Sequence, residues 1–208
     1  MLDTKYLIKN KRSLRYYLEC DKVVLNLPEG INKPRPFRDD IWKFLIRLRK
    51  TEYLSNQKSI FFRPLFYFSF YKYKRKCRLF NVEIPLNCLR EGIRIWHLQN
   101  IIINPNSKIG SNCSISAGVV IGQSKNIIPV IGNNVELMVG AKVLGASIGD
   151  YVAIGASALV LKSYYQEKTT IAGVPAKKIS NNFPEYMEWN EIRIRKVQNN
   201  MNYRFVES

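Results

Sequence analysis

The sequence has a single histidine, His97, and only four cysteines in 208 residues. The cysteines contain no Cys-x-x-Cys pair, which argues against a disulfide framework and against a zinc site. An enzyme that holds zinc with three histidines is excluded because the chain has one. Cysteine usage of this kind suits a reducing compartment, so we expect a cytoplasmic protein. The four cysteines are Cys20, Cys77, Cys88 and Cys113.

Long apolar runs and acidic residues are also scarce. No window of about 18 apolar residues is present, so no membrane-spanning helix is expected. The first residues lead into a charged stretch rather than into the apolar core of a signal peptide. Sixteen acidic residues stand against 33 lysines and arginines, for a formal net charge of +17. The excess lies mainly before residue 80 and after residue 176, and it predicts attraction to an anionic partner there.

What the sequence does contain is an aliphatic residue at every sixth position over residues 103–160. Neither the 3.6-residue period of a helix nor simple two-residue alternation produces this spacing. Six-residue units are typical of a β-helix, with the aliphatic side chain inside and a small side chain two positions earlier, such as Cys113, filling the space beside it. The aliphatic residues are Ile103, Ile109, Ile115, Ile121, Ile131, Leu137, Val143, Ile148, Ile154 and Val160.

The repeat is interrupted twice. Four extra residues separate Ile121 from Ile131, and one residue is missing between Val143 and Ile148. A β-sandwich with coincidental spacing is the alternative, but ten regularly placed aliphatic residues with two interruptions disfavour it. The first interruption predicts a protruding loop at residues 123–130, and inserted loops in a solenoid commonly carry the binding face.

Three segments are predicted: an N-terminal helical region at residues 1–80, a β-helix at residues 81–180, and a C-terminal helix with a tail at residues 181–208. Apolar residues at helical spacing predict a helix from Asp39 or Asp40 to about Ser55. A second helix at residues 183–197 is predicted to cap the open end of the coil, and residues 199–208 are predicted to form a loose tail.

Residues 59–80 combine a cluster of aromatic side chains with a run of lysines and arginines from Lys72 to Arg78. Three interpretations stay open: aromatic packing on the other helices with solvated lysines, peripheral contact with an anionic inner membrane face, and a nucleic-acid stacking platform. No nucleic-acid reader motif accompanies the segment, so no nucleic-acid partner is expected.

The hexads and the segment that follows them resemble the hexapeptide-repeat acyltransferases. That segment reads Ile171-Ala172-Gly173-Val174-Pro175-Ala176-Lys177-Lys178-Ile179. The likeness covers residues 81–180 and is greatest to serine acetyltransferases and to O-acetyltransferases of bacterial polysaccharides. It implies a mainly β fold, a left-handed parallel β-helix, assembled as a homotrimer. It also implies an acyltransferase that uses acetyl-CoA and no metal.

His97 stands where these acyltransferases carry a catalytic histidine, just before the aliphatic run that leads into the regular hexads. Imidazole suits a general base because it titrates near neutral pH. The resemblance implies that His97 removes a proton from an acceptor hydroxyl, with a backbone N–H of Gly140 or Ala141 stabilising the oxyanion. Glu83, fourteen residues earlier, is the predicted orienting partner, and Glu91 is a weaker candidate.

The resemblance also implies that acetyl-CoA lies along the edge of the coil between subunits. Glycine and alanine permit close approach of a ligand to the backbone, and lysine offers a point charge to phosphate. The residues that match the cofactor-binding positions are Gly140, Ala141, Ala156, Gly173, Pro175, Lys177 and Lys178.

The loop at residues 123–130 contains neither histidine nor arginine. Serine acetyltransferases carry a second histidine and basic residues there, so the sequence favours a saccharide hydroxyl, of the capsule or exopolysaccharide type, as acceptor. Serine, the acceptor in cysteine biosynthesis, is the alternative. A membrane adaptor without affinity for CoA is the contrasting hypothesis from a different class.

Overall fold

The computed structural model describes residues 2–28 and 30–205. Along the chain, helices precede and follow a parallel β-helix. The N-terminal helices are α1 (Lys11–Val24), α2 (Asp40–Ser55) and α3 (Arg63–Phe80), and the C-terminal helix is α4 (Glu185–Asn200). The α2 bounds confirm the helix predicted from Asp39 or Asp40 to about Ser55. Parts of the predicted N-terminal region and tail (Met1, Glu29 and residues 206–208) lie outside the described residues.

The coil is built from short strands, most of them two or three residues long. They are β1 (Arg94–Ile95), β2 (Ile102–Ile103), β3 (Lys108–Ile109), β4 (Ser114–Ile115), β5 (Val120–Gly122), β6 (Val130–Ile131), β7 (Glu136–Leu137), β8 (Lys142–Leu144), β9 (Val152–Ile154), β10 (Leu159–Val160), β11 (Thr169–Gly173) and β12 (Ala176–Ser180).

These strands stack in parallel on three faces of a coil of about four turns. Face A contains β2, β5, β8 and β10, face B contains β3 and β6, and face C contains β1, β4, β7, β9 and β11. Strand β12 pairs antiparallel with β11 and ends the coil. The predicted left-handed parallel β-helix with flanking helices is confirmed.

The aliphatic residues of the six-residue repeat form the core of the coil. Each of the ten aliphatic residues is at most 2 % exposed, and Cys113, two positions before Ile115, is fully buried. Glycine after the aliphatic is required where successive turns touch: a Cβ on Gly110 would lie 2.3 Å from the carbonyl oxygen of Gly132. The six-residue period therefore specifies both the interior and the tight corner between faces B and C.

Helices α2 and α3 extend the same core beyond the first turn of the coil. Phe44, Leu45 and Leu48 of α2 and Tyr73 of α3 are buried with the first coil residues. Helix α3 ends at Asn81, which adopts the left-handed conformation (φ 51°) that commonly terminates helices. One apolar interior thus continues from the helices into the coil.

A buried arginine joins the helices to the coil. Arg49 of α2 is fully buried and forms ion pairs with Asp21 (2.7 Å) and Glu52 (3.0 Å). The same guanidinium donates to the carbonyl oxygens of Leu89 (2.8 Å) and Arg90 (2.6 Å) in the first turn. Sequence analysis did not predict this network, although Arg49 stands four residues after Leu45 and seven after Trp42, on the apolar side of α2.

Helix α4 forms as predicted, but the prediction that it caps the open end of the coil is wrong. Its Met187 carbonyl accepts a hydrogen bond from Asn112 (2.7 Å), and Ile194 packs in the cluster formed by α1. The helix therefore lies along the side of the coil, because α1 supplies apolar cover for it there. The tail is not loose up to residue 205, since the Tyr203 ring stacks on Tyr16 at 3.9 Å.

Candidate active site

His97 lies on the turn that leads from face C to face A, between β1 and β2. Ile95 and Ile103 are eight residues apart, whereas the later turns at this corner separate core residues by six. The two extra residues make a wider turn, held by the buried side chain of Leu98. The imidazole of His97 is exposed, so it does not point into the hydrophobic interior.

The turns from face C to face A stack into a column, here named the C–A corner. Gly118 N–H donates to Gln99 O (3.0 Å), and two turns further on Ser157 N–H donates to Val139 O (2.8 Å). The predicted cofactor residues Gly140, Ala141 and Ala156 belong to this column, as does the turn that carries His97. The fold therefore brings these sequence-predicted residues to one edge of the coil.

Small residues keep the backbone of the C–A corner accessible. Gly140 has a positive φ of 69°, and a Cβ there would lie 3.2 Å from the hydroxyl oxygen of Ser157. Ala156 is exposed, whereas the side chain of Ala141 is buried inside the coil and only its backbone can reach a ligand. A long ligand can therefore approach the corner closely.

The prediction that Gly140 or Ala141 supplies the oxyanion donor is wrong. Gly140 N–H donates to Ala117 O (2.8 Å), and Ala141 N–H donates to Met138 O (3.1 Å), so both donors are already occupied. Within the described part of the chain, the N–H groups of Ala117, Val139 and Ala156 have no acceptor. These three N–H groups are available to a ligand at the corner.

The other predicted cofactor residues lie on the hairpin formed by β11 and β12. Gly173 ends β11 next to the C–A corner, and Pro175 lies in the hairpin turn. Lys177 and Lys178 are exposed on β12, where Lys178 Nζ donates to Gln166 Oε1 (2.9 Å). Both lysines therefore lie on the strand paired with β11, and their role in binding a cofactor stays a prediction.

Glu83 stands at the edge of face A, paired through its backbone with the strand that follows His97. Its N–H donates to Ile101 O (2.8 Å), and its carboxylate is exposed. Among the described residues, no hydrogen bond links that carboxylate to His97, so the orienting role of Glu83 stays a prediction. The weaker candidate for the orienting partner of His97, Glu91, is wrong. Its side chain is buried at the corner between faces B and C, where it forms an ion pair with Arg90 (2.9 Å).

The residue before His97 is held by contacts that sequence analysis missed. Trp96 Nε1 donates to Ser114 Oγ (2.8 Å), and the guanidinium of Arg94 lies 3.7 Å from the Trp96 ring centroid. Ser114 is on the strand that pairs with β1, so the indole is tied to the neighbouring turn. This arrangement fixes the start of the turn that presents His97.

Helix α4 completes this cluster from outside. Tyr186 OH contacts Ser114 Oγ (3.1 Å) and donates to Glu136, and its ring meets Trp96 edge to face. Burial raises the pKa of Glu136, while Tyr186 and Arg94 oppose that shift. The helix thus has a second role besides packing on α1, since it secures the side chains next to His97.

The predicted loop at residues 123–130 is a short hairpin. Ser124 and Ile127 exchange backbone hydrogen bonds, and Lys125 and Asn126 between them have φ values of 48° and 61°. Two consecutive left-handed residues are typical of a type I′ turn. The hairpin projects from the corner between faces A and B, so within one chain it does not lie at the C–A corner.

Among the described residues, no group of three or more histidine, cysteine, aspartate or glutamate residues is placed to hold a metal ion. In the same part of the chain, no helix combines the length and apolar character needed to cross a membrane.

The chain is similar in sequence to serine acetyltransferases, although no family model matches it. It is 38 % identical over 107 residues to a serine acetyltransferase of Synechococcus elongatus, covering 49 % of this chain and 43 % of that protein. It is 36 % identical over 118 residues to a serine acetyltransferase of Buchnera aphidicola, covering 53 % and 45 %. The chain thus spans less than half the length of these curated relatives.

Solved structures extend the likeness to the helices. A serine acetyltransferase described as a complex with CoA matches with a TM-score of 0.62 and 25 % identity, over 81 % of this chain and 71 % of that one. One described as a complex with cysteine gives a TM-score of 0.62 and 25 % identity, over 82 % and 67 %. The chain is therefore similar in sequence and in fold to enzymes of the hexapeptide-repeat acyltransferase superfamily. A Vibrio cholerae serine acetyltransferase, at 22 % identity and a TM-score of 0.63, shares the fold.

Among members of this superfamily, the relatives found by sequence overturn the acceptor prediction. The curated relatives are named serine acetyltransferases, so the prediction of a capsule or exopolysaccharide hydroxyl is wrong. The error has a structural reason. The composition of the hairpin at residues 123–130 decided the acceptor, yet that hairpin lies at a different corner from His97 in the same chain.

Proposed function

We propose that this chain transfers an acetyl group from acetyl-CoA to the hydroxyl of serine, with His97 as the general base. The observation that carries the proposal is the position of His97. The exposed imidazole stands at the head of the C–A corner, above the free N–H groups of Ala117, Val139 and Ala156. The names of the relatives support serine as the acceptor.

The residues at the corner fit acetyl-CoA. Gly140 and Ala156 leave the backbone accessible, and the free N–H groups suit the amide carbonyls of a pantetheine chain. Lys142, Lys177 and Lys178 are exposed nearby and suit its phosphates. When bound, acetyl-CoA supplies an acetyl group activated as a thioester.

In the proposed reaction, His97 accepts the proton of the serine hydroxyl while the oxygen forms its bond to the acetyl carbon. The same imidazole returns that proton to the sulfur as the carbon–sulfur bond breaks, so no covalent intermediate with the protein is needed. Ala117 N–H, on the turn that stacks against the His97 turn, is the candidate donor to the carbonyl oxygen as negative charge develops there.

The test is thiol release from acetyl-CoA, measured with and without serine, together with identification of the product. We expect saturable release that depends on serine and yields O-acetylserine. Ethanolamine and 3-hydroxypropionate, which each lack one charged group of serine, serve as matched acceptors and are expected to react far more slowly. Release supported by other hydroxyl compounds but not by serine would overturn the proposal.

We further propose that the active form is a homotrimer assembled around face A. Ile102 on this face is 44 % exposed, and Val120 beside it extends the apolar surface; Leu159 lies in the same row beyond the exposed Lys142. Face A lies between the C–A corner and the corner that carries the 123–130 hairpin. A threefold arrangement brings the hairpin of one subunit to His97 of the next.

Sedimentation analysis of two matched variants tests this assembly. Ile102→Asp is expected to shift the protein from three subunits to one, because it places a charge in an apolar interface. Ile192→Asp, at an exposed position on α4 (53 %), is expected to leave the trimer intact. A monomeric wild-type protein, or equal effects of both substitutions, would contradict the assembly.

A further inference from the structure

The outer side of α3 carries a row of exposed apolar side chains that the proposed reaction does not use. The helix buries Ser69, Tyr73 and Cys77 against α2 and the first turn of the coil. The opposite side, together with the residues just before the helix, exposes large apolar side chains to solvent by 51–89 %. These side chains, here named the α3 ridge, are Phe61, Leu65, Phe68, Tyr71 and Leu79.

This exposure decides between the interpretations of residues 59–80 within the chain. Aromatic packing on the other helices accounts for Phe66, Phe70 and Phe80, which are half-buried. It does not account for the α3 ridge, which has no cover in the described residues. The ridge is therefore a surface feature and not part of the helical core.

Positive charge accompanies the ridge. Helix α3 contains six basic residues and no acidic residue. A cleft of about 660 Å³ between α2 and α3 has no acidic lining residue. Its lining residues are Arg47, Tyr71, Lys72, Arg75, Lys76, Arg78 and Leu79.

The cations of this cleft are not neutralised by the protein. None of its five lysines and arginines forms an ion pair with any residue that the structure describes. Two of them instead lie over ridge aromatics: Lys72 Nζ is 4.1 Å from the Phe68 ring centroid, and the Arg75 guanidinium is 6.0 Å from that of Tyr71. The charge is therefore available to an external anion.

We propose that the α3 ridge and the adjoining basic cleft bind the surface of a membrane that contains anionic lipids. Lipid phosphates meet the cations of the cleft, and the ridge side chains enter the boundary between headgroups and acyl chains. Aliphatic residues such as Leu65 and Leu79 favour lipid over nucleic acid, because they offer no flat surface for base stacking. The proposal goes beyond the acetyl transfer and does not depend on it.

Vesicle co-sedimentation of the full chain tests this surface. We expect binding to phosphatidylcholine vesicles that contain phosphatidylglycerol, weakened by added salt, and little binding to phosphatidylcholine alone. The variant Lys72→Gln/Arg75→Gln/Lys76→Gln/Arg78→Gln is expected to lose affinity by roughly 100-fold, since each cation near the surface contributes to attraction. Its matched control, Lys9→Gln/Lys11→Gln/Arg15→Gln/Lys196→Gln, removes equal charge from exposed sites elsewhere and is expected to bind nearly as wild type.

A second variant separates the apolar contribution from the charge. Phe61→Ser/Leu65→Ser/Phe68→Ser is expected to lower vesicle affinity by roughly tenfold while its salt dependence persists. Equal losses in the two charge variants would overturn the proposal, as would equal wild-type binding to both vesicle types. Displacement of the protein from vesicles by a short oligonucleotide would assign the surface to nucleic acid. If the triple Phe61→Ser/Leu65→Ser/Phe68→Ser variant forms a smaller assembly but binds vesicles as wild type does, the surface is instead a contact between subunits.

Discussion

Replacing His97 by asparagine is expected to lower kcat for acetyl transfer by about a factor of 10³, within the range by which a positioned general base accelerates proton transfer. Asparagine retains a polar side chain of similar size but cannot accept the hydroxyl proton. The imidazole is exposed and has no hydrogen-bond partner among the described residues, so the free energy of unfolding should change by less than about 0.5 kcal/mol.

Steady-state kinetics with serine and acetyl-CoA measure this effect, and CoA binding measured separately shows whether the cofactor site survives. Gln99→Ala, on the same turn and equally exposed, is the matched control and should keep nearly full activity. A His97→Asn protein with kcat within fivefold of wild type would exclude His97 as the base.

Replacing Arg49 by methionine is expected to lower the free energy of unfolding by about 3–5 kcal/mol, the usual cost of removing one partner from a buried ion pair. Burial opposes the charge on Arg49, but Asp21 and Glu52 outweigh it and raise its pKa. Without the guanidinium, two buried carboxylates lose their cationic partner, and the carbonyl oxygens of Leu89 and Arg90 lose a hydrogen-bond donor.

Denaturant unfolding followed by circular dichroism measures this loss. Lys50→Met, at the next position but exposed, should change stability by less than about 0.5 kcal/mol. Adding Asp21→Asn and Glu52→Gln to the Arg49 variant should recover part of the stability, since the unpaired charges are then gone. A loss of under about 1 kcal/mol for Arg49→Met would show that the network does not join the helices to the coil as described.

The Arg49 network also bears on the active site. Asp21 accepts a hydrogen bond from Ile93 N–H (3.0 Å), four residues before His97. The strand that leads to the His97 turn is therefore anchored on one side by α1 and α2. On its other side, Trp96 and Arg94 are held by Ser114 and Tyr186. Substitutions that weaken either set of contacts are therefore expected to lower activity, although they change no group that takes part in the reaction.

The coil was predictable because its determinants are local. In a β-helix each six-residue unit repeats the same environment, so an aliphatic side chain, a small neighbour and a glycine at the turn mark each corner. The hexads identified the core residues individually, and the resemblance added the handedness. Of the site, His97 and the small residues of the C–A corner were predicted from the resemblance to hexapeptide-repeat acyltransferases and not from the spacing itself.

The acceptor was not predictable in this way. The hairpin at residues 123–130 was read as part of the site, but its distance from His97 depends on how turns stack and how subunits meet. The composition of the hairpin indicates neither how the turns stack nor how the subunits meet. The membrane interpretation had the same weakness, because residues 59–80 show an apolar and basic character without showing which side chains α2 covers.

The sequence by itself determined the repeat and the core, because these depend on spacing along one chain. Only the tertiary structure decided that Arg49 is buried, that Tyr186 braces Trp96, that α4 lies along the coil, and that Gly140 and Ala141 have no free N–H. Each of these depends on partners tens of residues away, whose meeting is set by the packing of helices on the coil and by the register between turns.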